Sequence, residues 1–181
     1  MARVGLKNFR YSILDENEKV KAPKTLGRAI DCKSSLTLND AELHADDALV
    51  ENDNSFNKGT VTLTVDDDND EIFAPLLGHE VTAEKEVIRN VNDRAPYISL
   101  GRIITKQVNG KLFSKVEFFH KVKFKEFMPD EETQKGSKEF KGVSIEGTIS
   151  KLSNGDWSKT KTFEKYEEAS AYLDKLLTVT G

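Results

Sequence analysis

Along most of the chain apolar and polar side chains alternate with a period of two, the signature of strands that bury one face. The pattern is clearest at Thr60-Val61-Thr62-Leu63-Thr64-Val65, which ends against Asp66-Asp67-Asp68-Asn69-Asp70. Those charges cannot be buried together, so the strand must surface there. Glu71-Ile72-Phe73-Ala74-Pro75-Leu76-Leu77 then reads as a short helix lying on the sheet. Carboxylates suit its electropositive amino end, Asp68 and Glu71 have capping-box spacing, and Gly78 suits the left-handed position after the last turn. Pro75 removes a backbone donor, so the helix is kinked or at most about two turns long.

Upstream, Phe9, Tyr11 and Ile13 share one side of a first strand over 8–13. Residues 21–27, with Pro23 and Gly27, read as a surface connection. Ile30, Cys32, Ser34, Leu36 and Leu38 share one face of a second extended segment, with Cys32 as a small core residue. Segment 39–57 is too polar for central sheet, yet it carries Leu43, Leu49, Val50 and Phe56; it reads as a short strand or excursion that docks on something. Val87, Ile88 and Val91 suggest a brief strand between 80 and 95.

The second half opens with residues 97–108 and 111–127 flanking Asn109-Gly110, a strong hairpin signal because a type I′ turn needs positive φ at both positions. On the return strand Val116, Phe118, His120, Val122 and Phe124 fall on one face, and Lys115, Glu117, Lys121, Lys123 and Lys125 on the other. A polar stretch, 128–142, leads to an expected second hairpin, 143–149 and 157–163 about Asn154-Gly155. Ala169, Tyr172, Leu173, Leu176 and Leu177 then have helical spacing, with Glu167 and Glu168 near the start and Lys175 near the end, as the dipole prefers. The expected fold is mainly β: an antiparallel β sandwich or partly closed barrel in a single domain, 1–181, with a short helix after the third strand and a C-terminal helix packed outside.

Composition narrows the partners. At 181 residues, 37% apolar and 32% charged, the chain is large enough for a real core. A net charge of -4 and a pI near 5.5 argue against a dedicated nucleic-acid binder, which would carry a basic footprint. The single cysteine, Cys32, precludes an intramolecular disulfide and fits a reducing compartment. No apolar core follows Arg3 and Lys7, and no apolar run approaches membrane-spanning length, so the chain reads as made and folded in a cytoplasm. Charge is uneven: residues 39–71 hold eleven acidic side chains against Lys58 alone, and residues 102–125 seven basic ones against Glu117 alone. These are either two solvated faces of one protein or complementary surfaces of neighbouring copies.

No stretch spells out chemistry. A calcium loop counted from Asp66 needs glycine sixth and glutamate twelfth, where Glu71 and Leu77 stand. His44, His79 and His120 are isolated from one another and from Cys32, without zinc spacing, and His120 on an apolar strand face reads as a core histidine. Nucleophile-elbow serines and phosphate-cradling glycine loops are missing, so neither an enzyme nor a cofactor is expected.

Five collinear stretches carry a resemblance. Lys7-Asn8-Phe9-Arg10-Tyr11, Ala41-Glu42-Leu43-His44-Ala45-Asp46-Asp47, Lys58-Gly59-Thr60-Val61-Thr62-Leu63-Thr64-Val65-Asp66, Ile72-Phe73-Ala74-Pro75-Leu76-Leu77-Gly78-His79 and Asn154-Gly155-Asp156-Trp157 resemble the major tail protein family of long, non-contractile phage tails from Gram-positive hosts. That resemblance implies a tail tube subunit, localised to the virion tail, that assembles with itself into hexameric rings stacked around a tape-measure protein. The tube would run between baseplate and tail terminator proteins, with DNA passing through but not specifically bound and no membrane involved. An acidic balance suits such a channel, because a lumen that repels phosphate lets DNA slide. Free hairpin edges would be sealed by neighbouring copies. Members often append an immunoglobulin-like domain; with Gly181 directly after the helix, none is expected here.

Under this reading Leu43, His44, Asp46 and Asp47 on one side, and Lys121, Lys123 and Lys125 on the other, are the assembly-interface candidates. The rivals are a tube protein of a contractile tail or phage-like injection device, and a monomeric β-sandwich module for a small molecule or glycan. From the opposed charges, reversing Lys121, Lys123 and Lys125 together is expected to impair assembly and leave the monomer folded.

Overall fold

The computed structural model describes residues 2–39, 41–45, 48–66, 70–128 and 142–178. Twelve strands and two helices follow in order: β1 Ala2–Leu14, β2 Val20–Thr25, β3 Ala29–Leu38, β4 Ala41–Ala45, β5 Ala48–Asp53, β6 Phe56–Val65, α1 Asp70–Leu77, β7 Glu80–Val81, β8 Val87–Ile88, β9 Ile98–Val108, β10 Lys111–Phe124, β11 Val143–Ser150, β12 Ser158–Phe163 and α2 Tyr166–Leu177. Eight strands form one antiparallel sheet, ordered β2-β1-β9-β10-β11-β6-β3 with β12 also on β10. The fold is mainly β and sandwich-like. Strand β3 returns within 8 Å of β1, but the recorded ladders do not join the two.

Strand β10 belongs to both layers. Residues Ser114–Phe119 pair with β12, while Lys121–Phe124 pair with β11, and β9 runs along the opposite side. Between these halves the β9 ladder shifts: Phe119 faces Leu100 and Val122 faces Ile98, so β10 holds one extra residue there. Such a bulge inverts the phase of the side chains that follow it. Ser99 Oγ donates to the His120 carbonyl at 2.8 Å, and His120 N–H donates to the Trp157 carbonyl at 3.0 Å, fixing the bulge from both sides.

The bulge corrects the single apolar face expected of this strand. Val116 and Phe118 point outward beneath α2, with Ile103, Ala169, Leu173 and Leu177. Phe119, Val122 and Phe124 point inward to the main core, with Phe9, Tyr11, Val61, Leu63, Leu76, Ile98, Leu100 and Ile145. Helix α2 lies close because Gly101 has no side chain; a Cβ there would meet Leu173 Cδ1 at 2.2 Å. An Arg10–Asp174 ion pair fastens the helix to β1.

Other expectations met the structure differently. Residues 21–27 are no mere connection: Val20–Thr25 form β2, paired with β1, and Leu26 is fully buried with its N–H on the Phe9 carbonyl at 3.1 Å. Pro23 is tolerated because β2 is an edge strand. The second hairpin also fails to form, since β11 and β12 pair with different halves of β10 and not with each other. Asn154-Gly155 instead closes a local turn, with Leu152 N–H on the Asp156 carbonyl at 2.8 Å. Only Gly155 takes positive φ there, whereas at Asn109-Gly110 both residues do, as a type I′ hairpin requires.

Helix α1 appears where its residues were expected, eight residues long with Pro75 inside and burying Phe73, Ala74, Leu76 and Leu77, but it follows the sixth strand and not the third, because residues 20–25 and the 41–53 ribbon add three strands before it. Gly78 ends it at φ +80°, tight against the Arg94 carbonyl. Asp68 of the expected capping box lies outside the described residues. Of the brief strand, Val87 and Ile88 form β8, and Val91 lies beyond it.

Gly101→Ala should overpack the α2 interface and destabilise the fold by about 1–3 kcal/mol, and Leu173→Ala should cost about 2–5 kcal/mol. Because the two atoms compete for one space, the double variant should lose less than the sum in urea unfolding.

Candidate assembly surface

Strands β3 and β6 pair from Ala29↔Val65 to Leu38↔Phe56. Asn39 continues the pairing, with N–H to the Ser55 carbonyl and Nδ2 to Ser55 Oγ, both at 2.8 Å. Beyond it β4 and β5 form their own two-stranded sheet, Ala41↔Asp53 to Ala45↔Ala48, with a register shift between Leu43 and His44. The excursion expected at 39–57 is therefore a ribbon that prolongs the β3–β6 pair. Leu43 and His44 sit in β4; Asp46 and Asp47 lie outside the described residues, as does most of 128–142.

The three lysines lie elsewhere, on the second half of β10. Lys121 Nζ bonds Glu18 Oε1 at 2.6 Å and stands 4.5 Å from the Tyr97 ring centroid; Lys123 stands 5.2 Å from the same ring. Lys125 pairs with Glu146. Glu18 also accepts from the Ser153 N–H and hydroxyl. Lys121 first, then Ser153, holds its carboxyl down at about 2. Part of the basic stretch is thus paired inside the chain, since Arg102 and Lys115 both engage Glu117. Part of the acidic stretch is too, through Asp66 with Arg28 and Asp70 with Arg89. No recorded contact among the described residues joins the lysines to the ribbon.

The feature that sequence reasoning missed is the far edge of the sheet. Of Ile30, Cys32, Ser34, Leu36 and Leu38, expected to share one face of an extended segment, Cys32 packs against the core as expected. Ile30 is 54% exposed, Leu36 49% and Leu38 45%. Ile30 is the extra residue of a bulge between Ala29 and Asp31, and Leu36 and Leu38 lie where the strand leaves the body for the ribbon. The signal was present in the polar residues interleaved and adjacent, Lys33, Ser34, Ser35 and Thr37, all exposed. Behind this edge Arg102 is buried in the sandwich, donating to the Cys32 carbonyl at 3.2 Å and to Ser34 Oγ at 3.3 Å while paired with Glu117. Burial opposes the Glu117 charge, but Arg102 outweighs it and holds the carboxyl below its ordinary value. Burial pushes the Cys32 thiol up to about 11, which leaves it protonated and unreactive near neutrality.

Two other edges of the main sheet are guarded. Strand β2 exposes Lys21, Pro23 and Lys24, and β12, which pairs with β10 alone, exposes Lys159 and Lys161. Charge and proline on an edge discourage a second strand from adding there.

Other candidate chemistry is sparse. His120 stands edge-on to Phe118 at 5.1 Å between centroids, and burial lowers its pKa, so the ring is neutral. Trp157 stacks on Phe56 at 4.5 Å as a packing residue. A 550 Å³ cavity lies between Leu14–Glu18, Tyr97, Lys121 and Ser153, with Tyr97 its lone aromatic. Among the described residues no cluster of His, Cys, Asp and Glu is arranged to hold a metal. No family model matches this chain, and a search of curated proteins finds no match.

Lys121→Glu should lower the melting temperature of the monomer, because it sets two carboxylates against each other at Glu18, whereas Lys123→Glu should leave it nearly unchanged. The triple reversal is therefore expected to leave a folded but less stable monomer, through Lys121. The Glu18 contribution has its own pH signature. The depressed carboxyl stabilises fully above its unfolded value and loses that stability only as pH falls toward about 2, so the wild-type and Lys121→Met acid-unfolding curves should converge there.

Proposed function

We propose that the chain is a structural subunit of a phage tail tube, assembling with itself into rings that stack into the conduit for DNA ejection. The observation that carries this reading is the β3 edge: a strand with three half-exposed aliphatic side chains, whose two charged residues, Asp31 and Lys33, pair with each other. Such an edge is a hazard to a monomer and a joint in an assembly. The resemblance in the five stretches supports the same reading, and the β4–β5 ribbon supplies a second projecting element for contact between rings. Covering Ile30, Leu36 and Leu38 would contribute about 1 kcal/mol each per copy, from the apolar area still open. Electrostatic attraction between the acidic and basic stretches is reduced where charges pair within the chain, as at Asp66, Asp70, Lys121 and Lys125. The tape-measure, terminator and baseplate proteins are the partners of this reading, with DNA passing through unbound.

Negative-stain microscopy of the purified chain over a concentration series should show rings or stacked tubes with a central hole. Leu36→Glu with Leu38→Glu should abolish them while leaving the unfolding free energy within about 1 kcal/mol of wild type, as exposed positions allow. A chain that stays monomeric at high concentration, even with tape-measure and baseplate partners added, would overturn the reading.

A further inference from the structure

His79 closes a cluster that neither the strand pattern nor the assembly reading uses. Its side chain is 4% exposed although it follows α1 in a connecting segment. Nδ1 lies 2.7 Å from Asp93 Oδ2, and Nε2 lies 3.0 Å from Glu126 Oε2. The three residues come from three places: the end of α1, the turn at 90–93, and the chain leaving β10.

Each is independently placed. His79 N–H donates to the Ala74 carbonyl at 3.0 Å, and Gly78 beside it packs on the Arg94 carbonyl so closely that a Cβ would lie 2.3 Å from the oxygen. Asp93 Oδ2 accepts the Asn90 N–H at 2.8 Å. Glu126 precedes Phe127, whose ring meets Phe73 of α1 edge-on at 5.2 Å between centroids.

A neutral imidazole has one N–H and one lone pair, so it can satisfy only one of two flanking carboxylates; the imidazolium donates to both. Asp93 has the shorter contact and a second donor, whereas Glu126 is 55% exposed and can turn to water. We propose that His79 is a proton-operated latch, which when charged ties the end of β10 to α1 and the 90–93 turn, and when neutral keeps Asp93 and releases Glu126.

The charged groups facing the ring are Asp93 and Glu126, with Arg94 acting on Asp93 while its Nη1 donates to the Val91 and Asp93 carbonyls. Burial opposes the charged ring, but the hydrogen bonds to Asp93 and Glu126 outweigh it, so His79 titrates above its ordinary value. The Asn90 N–H and then His79 hold Asp93 below its own. A raised histidine stabilises fully below the unfolded value of about 6.5 and loses that contribution as pH rises through the folded value.

The test is NMR of the His79 ring on the full chain from about pH 5 to about pH 9, with the nuclear Overhauser contact between the Phe127 and Phe73 rings followed alongside. The expected result is a midpoint above about 6.5, a Phe127–Phe73 contact that weakens across the same midpoint, and a downward shift of that midpoint in Glu126→Gln. His79→Gln should show a weak, pH-independent Phe127–Phe73 contact while β9 amides remain protected. A midpoint at or below the ordinary value, an unshifted midpoint in Glu126→Gln, or a Phe127–Phe73 contact indifferent to the titration would each overturn the latch.

Discussion

The structure depends on one strand being shared by two layers. β10 can pair with β12 over its first half and β11 over its second only because the extra residue at the bulge bends it and inverts its phase. Without that residue, Val122 and Phe124 would face the same way as Val116 and Phe118, and either the main core or the α2 interface would lose its side chains. The buried hydroxyl of Ser99 and the backbone of Trp157 hold the bulge by hydrogen bonds that water would otherwise supply. A polar contact thus sets the partition of the apolar ones.

A second polar contact sets the far edge. Arg102 and Glu117 occupy inward positions of β9 and β10, where period two alone would place apolar residues. A buried pair adds little net stability over apolar side chains of similar size, but removing one partner strands a charge. Its contribution here is geometric. The guanidinium reaches the Cys32 carbonyl and Ser34, holding β3 against β9 while the outer part of β3 stays uncovered. The half-exposed Ile30, Leu36 and Leu38, set among polar neighbours, are thereby presented to solvent on a strand of fixed position.

Most elements were legible because their periodicity and turn chemistry agreed. The alternation at 60–65, the Asn109-Gly110 turn and the helical spacing of Ala169, Leu173 and Leu177 each placed an element correctly. What was hidden depends on non-local pairing. Period two cannot reveal an inserted residue, so Val116 and Val122 looked coplanar. Asn154-Gly155 looked like a hairpin because local sequence does not tell a strand which neighbour it will join. The exposure of Leu36 and Leu38 follows from β3 being last in the sheet, which is a property of topology. His79 could have been suspected from the Gly78 cap that fixes it, but Asp93 and Glu126 are brought to it only by the folded chain. The candidate residues in β4 were placed on a strand, and the β10 lysines proved to be engaged at home.

The ladder between β1 and β9 fixes the order in which the chain can be completed. Ala2 pairs with Gln107 and Ile13 with Ile98, so on the ribosome β1 has no partner on that side until more than half of the protein has emerged. At synthesis rates of about 5–20 residues per second the delay is on the order of ten seconds, long compared with hairpin formation in microseconds. The β1–β2 and β3–β6 hairpins can therefore exist as separate, half-open pieces during translation, and the arrival of β9, β10 and finally β11 joins them. Until then the apolar side of β3 has no settled body to lean on, which makes nascent chains the population most exposed to premature association.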